Sequence, residues 1–393
     1  MPLFVVHYHE IALKGGNRSF FESVLNKNLK RAFAEFKDLK IEQKRDHFRV
    51  LSTHEEDEAA IVARLKEVFG VACFSKVERE VTDFDAVTKH GIELIQKELD
   101  ARGLKEGEKA TFRVNVIRRN KEYPMTSLDL EREISSRILP AFTCLKVKLE
   151  KPELALYVDW GEKETLLYLN KIPGLGGLPV GTSGKLVSLI SSGFDSPVAS
   201  FCMMGRGAKI IFVHFHSYPA VGPQSIENVE ALIKRLNRFQ FEAKLYLIPL
   251  IEYQKKVVAD APAPLRVLLY RRMMVRMAEK VMFYEGAKGL ITGESVGQVA
   301  SQTLDNLIVT DAVASRPIYR PLIGMNKDEI IRKAEKIGTA EISSQPYEDC
   351  CSLYVPKAPA LSAKLPEVEA VEAGLDVERY AEELWGKKEI RKF

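Results

Sequence analysis

The sequence predicts a multidomain protein of mixed α/β and α+β class, with small mixed modules up to residue 172 and a mainly parallel, doubly wound sheet after residue 185. Three observations carry that expectation. At 393 residues the chain is too long for one ordinary hydrophobic core. Residues 173–184 (PGLGGLPVGTSG) form the stretch densest in Gly and Pro, which reads as a linker. Beyond it strands and helices alternate strictly, as in a parallel sheet built from crossover units. The expected division is therefore 1–55, 56–172, a linker at 173–184, and 185–393.

Taken in order, residues 3–8 read as a strand. Residues 19–36 carry Phe20, Val24, Leu25, Leu29, Ala32 and Phe33 at helical spacing. Residues 41–51 return to extended structure, with Phe48 and Val50 alternating with polar neighbours. A helix at 56–69, a strand at 71–77 and a helix at 84–101 follow. In the strand at 111–118, Phe112, Val114 and Val116 share one face and Arg113, Asn115 and Ile117 the other. Thr126 and Asp129 have capping spacing for a helix start. Short strands at 147–149, 154–159 and 164–168 complete this half. In the last domain the strands are 185–190, 209–215, 243–249 and 289–292, and helices begin at Pro197, Ser225, Arg266 and Lys327.

With 58 basic against 54 acidic side chains, net charge alone does not announce a nucleic-acid binder, so distribution decides. Residues 109–121 hold Lys109, Arg113, Arg118, Arg119 and Lys121 with no acid, and the first fifty residues hold ten Lys or Arg against six acids. The N-terminus does not fit a signal peptide, because His7, His9 and Glu10 interrupt the apolar Phe4, Val5 and Val6. No apolar run approaches the about 20 residues a membrane helix needs. Five cysteines without a framework spacing agree with a reducing compartment, and a cytoplasmic location is expected.

The first strand of the last domain runs into Ser191, Ser192, Gly193, Phe194, Asp195 and Ser196, and then into a helix near Pro197. A short loop of small residues there points backbone amides at a cavity above a helix N-terminus, which suits phosphate. Asp195 is placed to hold Mg2+ on a pyrophosphate. No Gly-Lys-Ser or Gly-Lys-Thr follows, so this is not a Walker A loop. Ligands in such sheets bind beyond the carboxyl ends of strands. That rule adds Leu189 and Ile190, then His214 and Phe215 for adenine, Arg271 or equally Arg272 for phosphate, Gly293 for close approach of a nucleotide, and Gln302.

The loop resembles that of the PP-loop ATP pyrophosphatases, whose Ser-Gly-Gly-x-Asp-Ser pattern it matches except for Ser192 in place of the first glycine. The segments 9–15 (HEIALKG), 115–127, 191–196, 271–274, 293–303 and 346–351 together resemble the tRNA 4-thiouridine synthetase (ThiI) family over nearly the whole chain. The resemblance implies an N-terminal ferredoxin-like domain, a THUMP domain that grips the acceptor end of tRNA, and a PP-loop catalytic domain. It also implies adenylation of uridine 8 of tRNA with ATP and Mg2+, then replacement of O4 by persulfide sulfur to give 4-thiouridine. Catalytic roles carry over to Asp195, Lys327 and Cys350, and a homodimer is implied. The chain ends about forty residues after Cys351, so the resemblance is to the short form without a C-terminal rhodanese domain. A cysteine desulfurase or separate carrier is then expected to supply sulfur, with a possible link to thiamine thiazole synthesis. Only Cys202, Cys350 and Cys351 lie in this domain, with no Cys-x-x-Cys pair to favour an iron-sulfur cluster.

For RNA, Arg113, Arg118, Arg119 and Lys121 are expected to meet backbone phosphates with Tyr123 stacking, and Lys14, Arg18, Lys27, Lys30 and Arg31 to add a second strip. None of these reads base sequence, so choice of one uridine falls to the distance between docking site and catalytic pocket. Two rivals stand beside this reading. One is a PP-loop RNA-modifying ligase or amidotransferase that delivers nitrogen and needs no cysteine at position 350. The other is a noncatalytic RNA chaperone with a vestigial nucleotide site.

Overall fold

A computed structural model of the chain describes residues 1–81, 83–103, 108–119, 122–162, 164–346, 354 and 356–393. These residues form two compact units, Met1–Arg18 with Leu29–Gly176, and Ser19–Asn28 with Gly177–Phe393.

In the first unit the elements are β1 (Leu3–His7), α1 (Arg18–Ala32, shared with the second unit), β2 (Leu39–Gln43), β3 (Phe48–Ser52), α2 (Glu58–Leu65), β4 (Cys73–Lys76), β5 (Arg79–Val81), α3 (Phe84–Arg102), β6 (Ala110–Arg118), α4 (Ser127–Ile138), β7 (Leu145–Val147), β8 (Leu154–Trp160), β9 (Thr165–Leu169) and β10 (Ile172–Pro173). The first sheet runs β10-β4-β1-β3-β2 and is antiparallel throughout. The single extended stretch expected at 41–51 is a hairpin instead. The Lys44 amide donates to the His47 carbonyl at 2.9 Å, so β2 and β3 fold back on each other. The polar turn Lys44, Arg45, Asp46 interrupts the alternation there.

The second sheet runs β5-β9-β8-β6-β7, with β6 parallel to both β7 and β8. Phe112, Val114 and Val116 are buried on one face of β6, packed with Leu94 and Ile95 of α3 and Leu130, Ile134 and Ile138 of α4. Burial of such side chains contributes roughly 1.5–3 kcal/mol each. Helix α4 opens on a reciprocal capping box between Thr126 and Asp129. The strand expected at 147–149 lies two residues earlier, because Leu145 rather than Leu149 is turned inward.

The Gly/Pro-rich stretch at 173–184 is held by hydrogen bonds. Ile172 and Pro173 pair with β4. Leu178 N donates to Gly205 O at 3.0 Å and Gly181 N to Gly207 O at 2.9 Å.

The second unit carries β11 (Lys185–Leu189), α5 (Asp195–Met204), β12 (Lys209–His216), α6 (Gln224–Gln240), β13 (Lys244–Pro249), α7 (Ile251–Asp260), α8 (Arg266–Glu285), β14 (Leu290–Ile291), α9 (Leu304–Asp311), β15 (Ile318–Tyr319), α10 (Lys327–Ile337), α11 (Ala340–Ser343), α12 (Leu365–Glu372), α13 (Val377–Gly386) and β16 (Glu389–Lys392). The sheet order is β15-β14-β11-β12-β13-β16, parallel except for β16, which runs antiparallel to β13. From β11 the chain moves outward to β12 and β13, then returns to place β14 on the other side of β11. The order reverses between β11 and β14, so the crevice at their carboxyl ends is where a ligand belongs. Long α8 covers one face, burying Leu268, Met273 and Met277 against a core that includes Val187, Val213 and Tyr246.

Candidate active site

At that crevice lies a cleft of about 560 Å³, enclosed wholly by the second unit. Leu189, Ile190, Ser191, Gly193, Asp195, Ser196, His214, Phe215, Arg271, Gly293, Gln302 and Lys327 all line it. The apolar lining includes Leu189, Phe215, Met274, Val275 and Ile318, and the charged lining Asp195, Arg271, Glu294, Arg320 and Lys327.

The loop after β11 is fixed from several sides. The Ser191 amide donates to Ser196 Oγ at 2.8 Å, closing the turn on itself. Ser192, which is 1% exposed, donates its hydroxyl to the Ser225 carbonyl at 3.0 Å. Ser343 donates to the Gly193 carbonyl at 3.2 Å. A Cβ on Gly293 would stand 2.6 Å from Ser196 N and 2.7 Å from Asp195 C. The close approach expected of Gly293 toward a nucleotide is thus made toward the loop backbone.

His214 lines the cleft, but its ring is structural. Nδ1 donates to the Ile190 carbonyl at 2.9 Å, and Nε2, left as the acceptor, receives Ser225 Oγ at 3.4 Å. The ring therefore holds the loop and leaves the strand-end backbone at 214–215 as the part that can meet a base.

Asp195 opens α5, where the helix dipole favours a carboxylate. One oxygen accepts from Lys327 Nζ at 3.0 Å and the other from Gln298 Nε2 at 3.0 Å. Lys327 is the first residue of α10, fixed by the reciprocal cap of Asn326 and Glu329. A cation at a helix N-terminus opposes the dipole. Lys327 sits there facing Asp195, with its ammonium 5.4 Å from the centre of the Phe194 ring. Gln302 is nearly buried and its side-chain oxygen accepts from Ser295 N at 3.3 Å, which shapes the loop after β14.

Arg271 and Arg272 point in different directions. Arg272 points away into the core, 2% exposed, and donates to Glu372 at 2.7 Å. Arg271 faces the cleft and pairs with Glu294, which also pairs with Arg320. Gln298, Glu294 and Arg320 are assigned no role from the sequence. Their positions follow loops or very short strands, where periodicity carries no signal. Cys350 and Cys351, like Lys121 of the basic run, lie outside the described residues.

In the first unit the basic residues divide. Arg119, expected to meet phosphate, turns inward to a fork with Asp159, which is 2% exposed, because a buried carboxylate requires a charged partner. Arg118 donates to the carbonyls of Tyr123 and Met125 at 2.9 and 3.0 Å, bracing the turn before α4. Arg18 donates to Tyr8 Oη at 2.7 Å and to Asp46 at 2.8 Å, and Lys14 stands 3.6 Å from Glu10. Arg113, whose guanidinium donates to the Leu149 carbonyl at 2.7 Å and stands 3.6 Å from Glu131, lines a groove of about 420 Å³ with Lys151, Lys171, Asn115, Asn170 and Tyr157, and no acid among the described residues lines it. Lys171 lies over the Tyr157 ring at 4.3 Å.

The sequence matches three families in chain order: "ThiI ferredoxin-like domain" over residues 3–75, "THUMP domain" over 81–170, and "Thiamine biosynthesis protein (ThiI)" over 181–377. The chain belongs to the ThiI family of tRNA sulfurtransferases. Among its relatives, the "Probable tRNA sulfurtransferase" of Thermoanaerobacter pseudethanolicus is 40% identical over 97% of each chain. The protein of the same description from Thermus thermophilus is 39% identical over 96% of this chain and 90% of its own length. A solved 4-thiouridine synthetase, in complex with RNA and with bound ATP, superimposes with a TM-score of 0.86 at 33% identity, covering all of both chains. No helix among the described residues is long and apolar enough to cross a membrane.

Proposed function

We propose that the cleft of the second unit binds ATP and activates uridine 8 of tRNA for replacement of O4 by sulfur. The observation that carries this is the junction of the 191–196 loop with Asp195, Lys327 and Arg271 around one cleft at the switch point of the sheet. In support, a relative of matching fold is a 4-thiouridine synthetase with ATP bound. Family membership disfavours the nitrogen-delivering ligase, and a cleft with its charged groups in place disfavours a vestigial site.

Uracil O4 is a poor leaving group. Its attack on the α-phosphate of ATP releases pyrophosphate and leaves AMP on the base. The loop amides and Lys327 would stabilise the departing charge. Asp195 fits a divalent ion, since it is a cleft-facing carboxylate whose present partners, an ammonium and an amide, are exchangeable donors. When bound, Mg2+ would neutralise pyrophosphate charge. In the second step the outer sulfur of a Cys350 persulfide, the role the family resemblance gives that residue, attacks the activated carbon and AMP leaves, joining base and Cys350 through a disulfide. A second thiolate then attacks the Cys350 sulfur, breaking the S–S bond, so that 4-thiouridine departs and the two thiol sulfurs are left oxidised as a disulfide.

The groove around Arg113, Lys151 and Lys171 is the proposed site for RNA phosphates. A cysteine desulfurase or separate carrier is the proposed sulfur source, in a cytoplasmic homodimer. The deciding experiment is nucleoside mass spectrometry of tRNA incubated with the protein, Mg-ATP and sulfide. We expect 4-thiouridine with wild type and none with Asp195→Asn; equal yields from both would reject the assignment.

A further inference from the structure

A pocket for a polyanion gains nothing from a carboxylate in its wall, yet Glu294 stands in this one, 3% exposed. Each of its oxygens faces a cation. Oε1 meets the guanidinium of Arg271, and Oε2 meets Arg320 and also accepts the Thr292 hydroxyl at 2.7 Å. Arg320 is held on its far side by Asp311, with Nη1 donating at 2.9 Å. Cation and anion therefore alternate from Arg271 through Glu294 and Arg320 to Asp311, on four separate segments of the chain.

We propose that Glu294 is a positioning residue that sets the guanidinium of Arg271 for ATP and shields it from Arg320. Removal of the negative charge would leave two guanidinium groups around one neutral side chain at the cleft wall. Their repulsion would drive Arg271 from the orientation in which it faces the nucleotide, while Arg320 stays tied to Asp311. The Thr292 bond to Oε2 matters because it fixes the carboxylate plane, and with it the direction from which Arg271 is held. The proposal rests on the reading that ATP occupies this cleft with Arg271 in contact.

The test is steady-state AMP formation by the full chain with tRNA, Mg-ATP and sulfide, for wild type, R271Q, E294Q, R320Q and E294Q/R320Q. We expect R271Q and E294Q each to raise KM for ATP about tenfold, and E294Q to leave kcat within about threefold. Loss of the second guanidinium should then restore E294Q/R320Q to within about threefold of the wild-type KM. A raised KM in R271Q with an unchanged KM in E294Q overturns the positioning role alone. An unchanged KM in R271Q overturns both it and the reading beneath it. Additive effects of E294Q and R320Q also overturn it. Should E294Q fail to fold, as judged by circular dichroism, the double variant decides: near-wild-type KM supports the proposal and a tenfold rise rejects it.

Discussion

Ser192 carries a hydroxyl where the resembled loop pattern carries a glycine, and that hydroxyl ties the loop to the start of α6 through Ser225. Ser225 also meets His214, whose other nitrogen holds the Ile190 carbonyl. Ser192→Gly removes a buried hydrogen bond and frees the backbone, so we expect a loss of about 1–2 kcal/mol in denaturant unfolding. KM for ATP should rise severalfold. Lys327 differs in kind, since it touches Asp195 and contributes little to packing. Lys327→Met should cost about 10²-fold in kcat with stability nearly unchanged, measured as AMP release against thermal melting. A comparable loss of stability would make the pair structural rather than catalytic.

At the scale of elements, the junction of β14 with the N-terminus of α5 sets the geometry of the cleft. Gly293→Ala would press a methyl group onto the Asp195–Ser196 backbone, which cannot swing aside as a side chain can. We expect more than about 2 kcal/mol of destabilisation in the same unfolding measurement. Asn326→Ala, by loss of the cap that begins α10, should cost about 1 kcal/mol. These elements also show what a sequence can disclose. Long strands and helices such as β12 and α8 announce themselves by apolar pattern, and the loop between β11 and α5 by its small residues and proline. Two-residue strands such as β14 and β15 are too short for any period, so Glu294 and Arg320 gave no sign of converging. The inward turn of Arg119 was equally hidden, because its partner Asp159 lies forty residues away on an adjacent strand.

Over the whole molecule, acid stability should be set partly by the first unit. Burial holds His7 at about 3, aided by Lys171 and Arg119, and burial with Arg119 and His7 nearby holds His47 at about 2, both from an ordinary 6.5. Both are neutral when folded and charge on unfolding in mild acid. The unfolded chain therefore binds more protons, and stability present above pH 6.5 is lost as pH falls toward the folded values. Each histidine contributes a slope of at most about 1.4 kcal/mol per pH unit. Thermal melting between pH 7 and 5 should show this slope, reduced in His47→Leu; identical slopes would contradict it. The second unit carries a different consequence. Around its cleft Arg271, Arg320 and Lys327 are matched by Glu294, Asp311 and Asp195. Such a site exerts little pull on anions at a distance, so nucleotide capture should proceed without electrostatic steering and be nearly indifferent to ionic strength. On the proposed reading, attraction would arise only once an arriving triphosphate displaced Lys327 from Asp195, which would make recognition an exchange of ionic partners and deny the cleft to polyanions that cannot complete the exchange.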